Sequence, residues 1–334
     1  MPWGYGGAAN LCMHALMEAI RAATLVLAIA SALAALLCLG GAVSGRLDIF
    51  THFAPFYLAG AAAALLIGLA GGPPNRVTLI CAGLAVAICG LLVVPELIAR
   101  LTQDHATPGA RTLKIVQFNL WDRNTDAAAT ARWIAAENPD IVVVEEAQQA
   151  AASIPIALKG QYPFSTTCDP PRACPTTILS KLQPSAGGGL ASPGTPARWW
   201  GAWATFPGAD GFTVIGTHYR WPFPPGPQAA QAARLAEFAS QFDRRSLIVA
   251  GDFNSTPWSF FLRRQDARFG LERRTRAIFT WPAAPVTRRR LKIPGPFLPI
   301  DHIYAGQAWR TVSARRGPKV GSDHFPVVVV LTRP

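Results

Sequence analysis

Charge is missing from three long stretches near the start of the chain. Residues 22–45, 53–75 and 77–95 contain no Asp, Glu, Lys or Arg. Their centres, residues 25–30, 61–67 and 84–88, are apolar on every face, which excludes an ordinary water-facing bundle with polar stripes. Each stretch is long enough to cross a bilayer core, which takes ~20 helical residues. A cleaved signal peptide accounts for the first run but not for the next two. Two other absences narrow the chemistry. No glycine-rich loop carries the lysine of a nucleotide site, and no Gly-x-Ser-x-Gly elbow presents a serine nucleophile.

What is there divides unevenly. The chain holds 31 Lys and Arg against 19 Asp and Glu, a net charge of +12. Residues 1–109 balance Arg21, Arg46, Arg76 and Arg100 against Glu18, Asp48, Glu96 and Asp104, so the whole surplus lies beyond them. A basic domain favours phosphates, nucleic acid or acidic lipid. We expect an anchor over 1–100, with membrane helices at about 22–45, 53–75 and 77–96, a connector at 101–111 and a catalytic domain at 112–334. Arg21 and Arg76 place the chain's start and its second link on the cytoplasmic side under the positive-inside tendency. Three crossings then put the remainder outside an inner or plasma membrane, in the periplasm or the extracellular space. Cys168 and Cys174, flanking a five-residue polar loop, suit a disulfide in such a compartment, with two free thiols as the alternative. Cys38, Cys81 and Cys89 lie in apolar runs as packing residues.

In the second part, apolar strands are expected at 113–118, 141–144, 162–165, 176–179, 200–206, 212–216, 247–251, 300–304, 309–313 and 326–331. Helices are expected at 127–136 and 228–242, and Gly187-Gly188-Gly189 reads as an exposed, flexible link. Many strands with few long helices imply two packed sheets covered by helices.

Polar residues recur where these strands end: Asn119, Glu146, His218, Asp252, Asn254, Asp301 and the Asp323-His324 pair. In an extended Gly251-Asp252-Phe253-Asn254 segment, Asp252 and Asn254 point the same way. The oxygen donors Glu146, Asp323 and Asn119 suit a hard divalent cation, magnesium or manganese, better than zinc. A metal-activated water attacking phosphorus is the chemistry left standing.

Six ordered motifs carry a resemblance: Gln117-Phe118-Asn119, Pro139 to Glu146, Gly216-Thr217-His218, Gly251 to Asn254, Ile300 to Ile303 and Gly321 to Pro326. Together they resemble the endonuclease/exonuclease/phosphatase superfamily over about residues 112–332. The resemblance implies a four-layered α/β sandwich with two central mixed sheets, here preceded by a three-helix transmembrane region. It further implies Glu146 as principal metal ligand, Asn119 beside metal and phosphate, and Asp323 as an additional metal-linked carboxylate. Asp252 would orient or deprotonate water, and Asn254 would hold phosphate or Asp252. Asp301 and His324 would form a hydrogen-bonded pair, and His218 would contact phosphate. Glu145 departs from the family, whose members often carry Gln there. Trp121, Arg220, Trp221 and Trp281 are candidates for the substrate wall. The expected function is a Mg2+-dependent (or Mn2+-dependent) phosphoester hydrolase, a phosphodiesterase acting on nucleic acid or a lipid headgroup. The alternatives are a membrane-tethered phosphomonoesterase for lipid headgroups and a non-catalytic scaffold.

Overall fold

Two packing patterns with opposite logic run through the chain, one with small residues inside and one with large. The computed structural model describes residues 6–70, 75–108, 111–167, 176–190, 201–288 and 291–333. It divides into two units, Met1–Glu96 with Trp258–Phe260, and Leu97–Pro257 with Phe261–Pro334.

The first pattern belongs to α1 (Gly6–Gly40), α2 (Ala54–Ala70) and α3 (Arg76–Leu101). Their buried positions are largely alanine, including Ala28, Ala32, Ala35, Ala61, Ala64, Ala82 and Ala85. Leu33, Leu66, Ile80 and Leu91 instead face outward. Water penalises such a surface, whereas lipid accepts it, and small residues let membrane helices approach closely. Three helices, Leu11–Gly40, Asp48–Ala70 and Arg76–Leu101, are long and apolar enough to cross a membrane. The first ends at Gly40, short of the expected residue 45. Hydrogen-bonded turns follow it up to Asp48, whose carboxylate accepts a bond of 3.0 Å from the Thr51 hydroxyl. The expected turn at residues 71–74 lies outside the described residues.

The second pattern is a pair of sheets. The elements in order are β1 (Thr112–Asn119), α4 (Ala127–Glu137), β2 (Ile141–Glu145), α5 (Ser153–Leu158), β3 (Phe164–Thr166) and β4 (Thr176–Ser180). Next come β5 (Ala186–Leu190), β6 (Gly201–Phe206), β7 (Phe212–His218), α6 (Pro225–Ala239), β8 (Ile248–Asp252) and α7 (Phe260–Phe269). The chain finishes with β9 (Glu272–Arg273), β10 (Val286–Arg288), β11 (Leu291–Ile293), β12 (Asp301–Ala305), β13 (Arg310–Arg316) and β14 (Val327–Thr332). One six-stranded sheet has the order β13-β14-β1-β2-β4-β3 and the other β5-β6-β7-β8-β12-β9. Both are mixed: β1 runs parallel to β2 but antiparallel to β14, and β8 runs parallel to β7 but antiparallel to β12.

Strand periodicity of two sorts the side chains. Ile115, Ile141, Val143, Val214, Ile248, Ala250 and Ile303 form one core between the sheets. Val116, Phe118, Val142 and Val144 turn the other way, onto Ile134 of α4 and Ile154 of α5. Ile215 and Val249 turn onto Leu235 of α6 and Leu262 of α7. The result is the four-layered α/β sandwich that the sequence implied.

One expectation is corrected. Gly187-Gly188-Gly189 is not a flexible link but the middle of β5, paired with β6. A Cβ on Gly187 would lie 2.9 Å from the Trp203 carbonyl oxygen and 2.7 Å from a Thr166 methyl. Glycine therefore serves close packing of the strand here.

Candidate active site

The periodicity that buries Ile115 and Ile303 between the sheets also delivers polar groups to one end of that layer. Gln117 and Asn119 share the inward face of β1 with Ile115, and Glu145 shares that of β2 with Val143. His218, Asp252 and Asp301 continue the inward faces of β7, β8 and β12. Register does the rest: Asp252 is paired with both His218 and Asp301 in the ladder. Gly251 permits this tight stacking, because a Cβ there would meet the Thr217 carbonyl oxygen at 1.8 Å. Glu146 and Asn254 follow strand ends in left-handed backbone, with φ of 53° and 47°, and Trp121 adopts φ 58° nearby. Non-glycine residues rarely take that conformation, and such strain collects at functional sites.

One oxygen is the focus. Asp252 Oδ2 accepts from Asn119 Nδ2 at 3.1 Å and Asn254 Nδ2 at 3.3 Å. The same atom lies 3.6 Å from His218 Nε2 and 3.8 Å from His324 Nε2. Asp252 Oδ1 is held by the Asn254 backbone N–H at 2.8 Å. Asn119 Nδ2 also donates to Glu146 Oε1 at 3.1 Å, and His218 Nε2 lies 3.7 Å from that oxygen. Asn119 Oδ1 accepts from the Trp121 N–H at 2.9 Å, so its amide donor turns toward the two carboxylates. His324 Nδ1 bonds Asp301 Oδ2 at 2.9 Å. All twelve candidate residues lie in described parts of the chain, and seven of them form or adjoin this network: Asn119, Glu146, His218, Asp252, Asn254, Asp301 and His324. Arg220 stands apart, fixed through its backbone by Gln231 and Gln228 while its side chain is exposed.

Burial and mutual charge set the protonation pattern. Burial, reinforced by Asp301, pushes the Asp252 carboxyl up to about 8. Burial opposes charge on His324, but Asp301, Asp252 and Asp323 outweigh it and push the imidazole up to about 10. Burial likewise opposes ionisation of Asp301, yet His324 holds it below the usual carboxylate range. For His218, burial wins over Glu146 and lowers the imidazole, which therefore stays neutral near pH 7. Burial and Asp301 keep Glu145 well above the carboxylate range. One histidine is thus held charged and the other neutral beside a single carboxyl group.

The rim is aromatic. Trp221 packs edge-on against Trp281 with ring centroids 6.2 Å apart, and Trp281 packs on Phe297 at 5.8 Å. Trp281 Nε1 donates to Asp323 Oδ2 at 3.2 Å, tying this wall to the site. Trp221 is 64 % exposed and Phe223 61 % exposed.

Residues 116–324 match the sequence profile of the Endonuclease/Exonuclease/phosphatase family. The chain belongs to that family. Its members are metal-dependent phosphoester hydrolases. No curated protein sequence matches the chain. An endonuclease/exonuclease/phosphatase from Beutenbergia cavernae is similar in structure at a TM-score of 0.50 and 21 % identity, covering 67 % of this chain and 72 % of that one. A Staphylococcus aureus beta toxin with bound magnesium ions is similar at a TM-score of 0.50 and 13 % identity, covering 66 % and 99 %. A D. rerio TDP2 complexed with single-stranded DNA product is similar at 0.52 and 14 %, covering 66 % and 99 %.

A family member needs a place for its divalent cation, and the donors here fit one. Asp323 Oδ1 is buried with no hydrogen-bond partner among the described residues, and Glu146 offers a half-buried carboxylate beside Asn119. Hard oxygen donors of this kind match magnesium or manganese. Asp252, Asp301 and His324 also bring ligand atoms within 4.8 Å of one another. Within that group His324 Nδ1 and Asp301 Oδ2 are already joined by a hydrogen bond.

Sequence reading placed Ser322, Gln117 and Glu145 within the family motifs but assigned none of them a role. Ser322 Oγ donates to the Asn119 carbonyl at 2.7 Å and accepts from the His324 N–H at 3.0 Å, fastening the histidine loop to β1. Gln117 and Glu145 lie directly beneath the site, where inward periodicity was the available signal. His302 bonds the Ser255 carbonyl at 2.9 Å and is a core residue rather than part of the cluster.

Proposed function

We propose that this protein is a membrane-anchored phosphodiesterase whose domain at 112–334 cleaves phosphodiesters outside the cytoplasm, behind an anchor at 1–100. The observation that carries the reading is the convergence of Asn119, Asn254, His218 and His324 on one oxygen of Asp252. The Asp252 carboxyl, raised to about 8 and encircled by donors, is suited to orienting a water and, in its ionised form, to taking that water's proton. His324, charged and anchored by Asp301, presents Nε2 to the reacting centre, where it stabilises developing negative charge or supplies a proton to the leaving oxygen. Neutral His218 offers a hydrogen bond to a phosphoryl oxygen, and Asn119 and Asn254 fix Asp252 for the attack. Glu146 and Asp323, with Asn119 beside them, would hold Mg2+ or Mn2+. That cation, when bound, supplies Lewis acidity at phosphorus and a more acidic water.

The substrate wall in this reading is Trp121, Arg220, Trp221 and Trp281. The three apolar helices favour a lipid headgroup phosphodiester over nucleic acid, because the anchor holds the enzyme beside its substrate. The test is Mg2+-dependent hydrolysis by the full-length protein in detergent, comparing DNA, phosphoinositides and sphingomyelin-like lipids, with Asp252→Asn as background. Lipid cleavage above that background supports the reading. DNA cleavage alone replaces the lipid with a nucleic acid, and cleavage of none of the panel removes the phosphodiesterase assignment.

A further inference from the structure

The Asp301–His324 pair hangs on a group outside the constellation above. Asp301 lies on the inward face of β12 in one sheet, and Gln117 on the inward face of β1 in the other. Gln117 Nε2 donates to Asp301 Oδ1 at 2.9 Å and to Glu145 Oε2 at 2.9 Å. All three side chains are fully buried. A primary amide has two N–H bonds, so both donors of Gln117 are committed, one to each carboxyl group. Asp301 is then gripped on both oxygens, Oδ1 by Gln117 and Oδ2 by His324. Rotation of the Asp301 carboxyl group would swing His324 Nε2 away from Asp252, and the Gln117 bond to the far oxygen resists that rotation.

We propose that Gln117 and Glu145 are positioning residues: an amide bridge across the two sheets that sets the Asp301 carboxylate, and through it the reach of His324 to the reacting centre. Glu145 contributes its acceptor oxygen, which fixes the Gln117 amide plane so that its second N–H points at Asp301. Glycine, serine or an aliphatic residue at 117 cannot span the gap between sheets with two donors. The proposal rests on the catalytic reading of Asp301 and His324.

The test follows the His324 Nδ1 proton and turnover separately. In full-length protein labelled with 15N-histidine in detergent, the hydrogen-bonded Nδ1 proton gives a downfield signal, assigned by its loss in His324→Asn. Gln117→Met, of similar volume, is expected to speed its exchange with water at least tenfold while the folded spectrum persists. On the substrate found active, Gln117→Met should lower kcat about 10-fold to 100-fold with KM within about twofold, the signature of an interaction lost in the transition state. Glu145→Leu should act in the same direction, and Glu145→Gln, which keeps an acceptor oxygen, should recover most of that loss. Unchanged exchange and unchanged kcat in folded Gln117→Met would overturn the proposal. Inactivity of the wild type on every phosphodiester would refute the functional reading instead, and the proton exchange would still decide the bridge.

Discussion

Replacing His324 with Asn removes the cation that three buried carboxyl groups share. His324 Nδ1 lies 2.9 Å from Asp301 Oδ2 and Nε2 lies 3.8 Å from Asp252 Oδ2, with Asp301 fully buried and His324 5 % exposed. Removing one partner of a buried pair strands the other, and the cost is about 3–5 kcal/mol. The pH dependence follows from the imidazole, which titrates near 6.5 unfolded and at about 10 in the fold. The folded state therefore binds the proton more tightly. Its stabilisation is complete below pH ~6.5 and drains by about 1.4 kcal/mol per pH unit until pH ~10. Asp252 acts in the same direction, since its native carboxyl keeps a proton up to about 8 that the unfolded chain releases near ~3.9. We expect thermal or denaturant unfolding of the full-length protein, in detergent with EDTA, to show His324→Asn weaker by about 3–5 kcal/mol at pH 6.5. The gap should narrow as pH rises toward 10. A gap below about 1 kcal/mol at pH 6.5, or one that does not change with pH, would refute the reasoning.

Four further outcomes are expected. Glu146→Gln should weaken Mg2+ binding by about tenfold or more in calorimetry, since a hard cation loses its anionic donor. Asp252→Asn should cut kcat by about 10²-fold to 10⁴-fold with an unchanged melting temperature, and normal turnover would remove Asp252 as the base. Trp221→Ala should raise KM for the true substrate several-fold while sparing kcat; an unchanged KM would show that the exposed ring is not part of the wall. Mg2+ binding near neutral pH should release protons, measured in buffers of different ionisation enthalpy, because a nearby cation lowers carboxyl pKa values raised by burial. The expected Cys168–Cys174 bridge lies outside the described residues.

Much of this arrangement was legible because period-two patterning serves both packing and chemistry. Ile115 and Ile303 reveal which face of β1 and β12 is inward, and Asn119 and Asp301 stand on that face. Strand ends then locate Glu146, His218 and Asp252 without any knowledge of the loops. Gly187-Gly188-Gly189 was misread because glycine signals a turn locally, whereas here Thr166 and the Trp203 carbonyl leave no room for a side chain. Helix α7 escaped notice because four charged residues interrupt the apolar ones of Phe260–Phe269, and its burial comes from the β8 and β12 side of the sheet. The Gln117 bridge was illegible for a different reason. It joins residues 184 positions apart on different sheets, and no local pattern specifies which inward strands face each other.

The acidic surplus beneath the site explains why the domain pairs a metal-suited set of oxygens with an imidazolium. Asp252, Asp301 and Glu145 are buried within one layer, and His324 is the imidazole that bonds it directly. A single cation cannot neutralise three ionised carboxyl groups, so two are forced upward: Asp252 to about 8 and Glu145 well above the carboxylate range. A layer in that condition favours added positive charge, which the proposed cation at Glu146 and the buried, unsatisfied Asp323 oxygen would supply. The same carboxyl groups that would destabilise the layer if all were ionised thus make the site receptive to a divalent ion and to the proton that catalysis moves. In the proposed function stability and activity share one charge balance, and Gln117, neutral and donating to both Asp301 and Glu145, joins the two carboxyl groups within it.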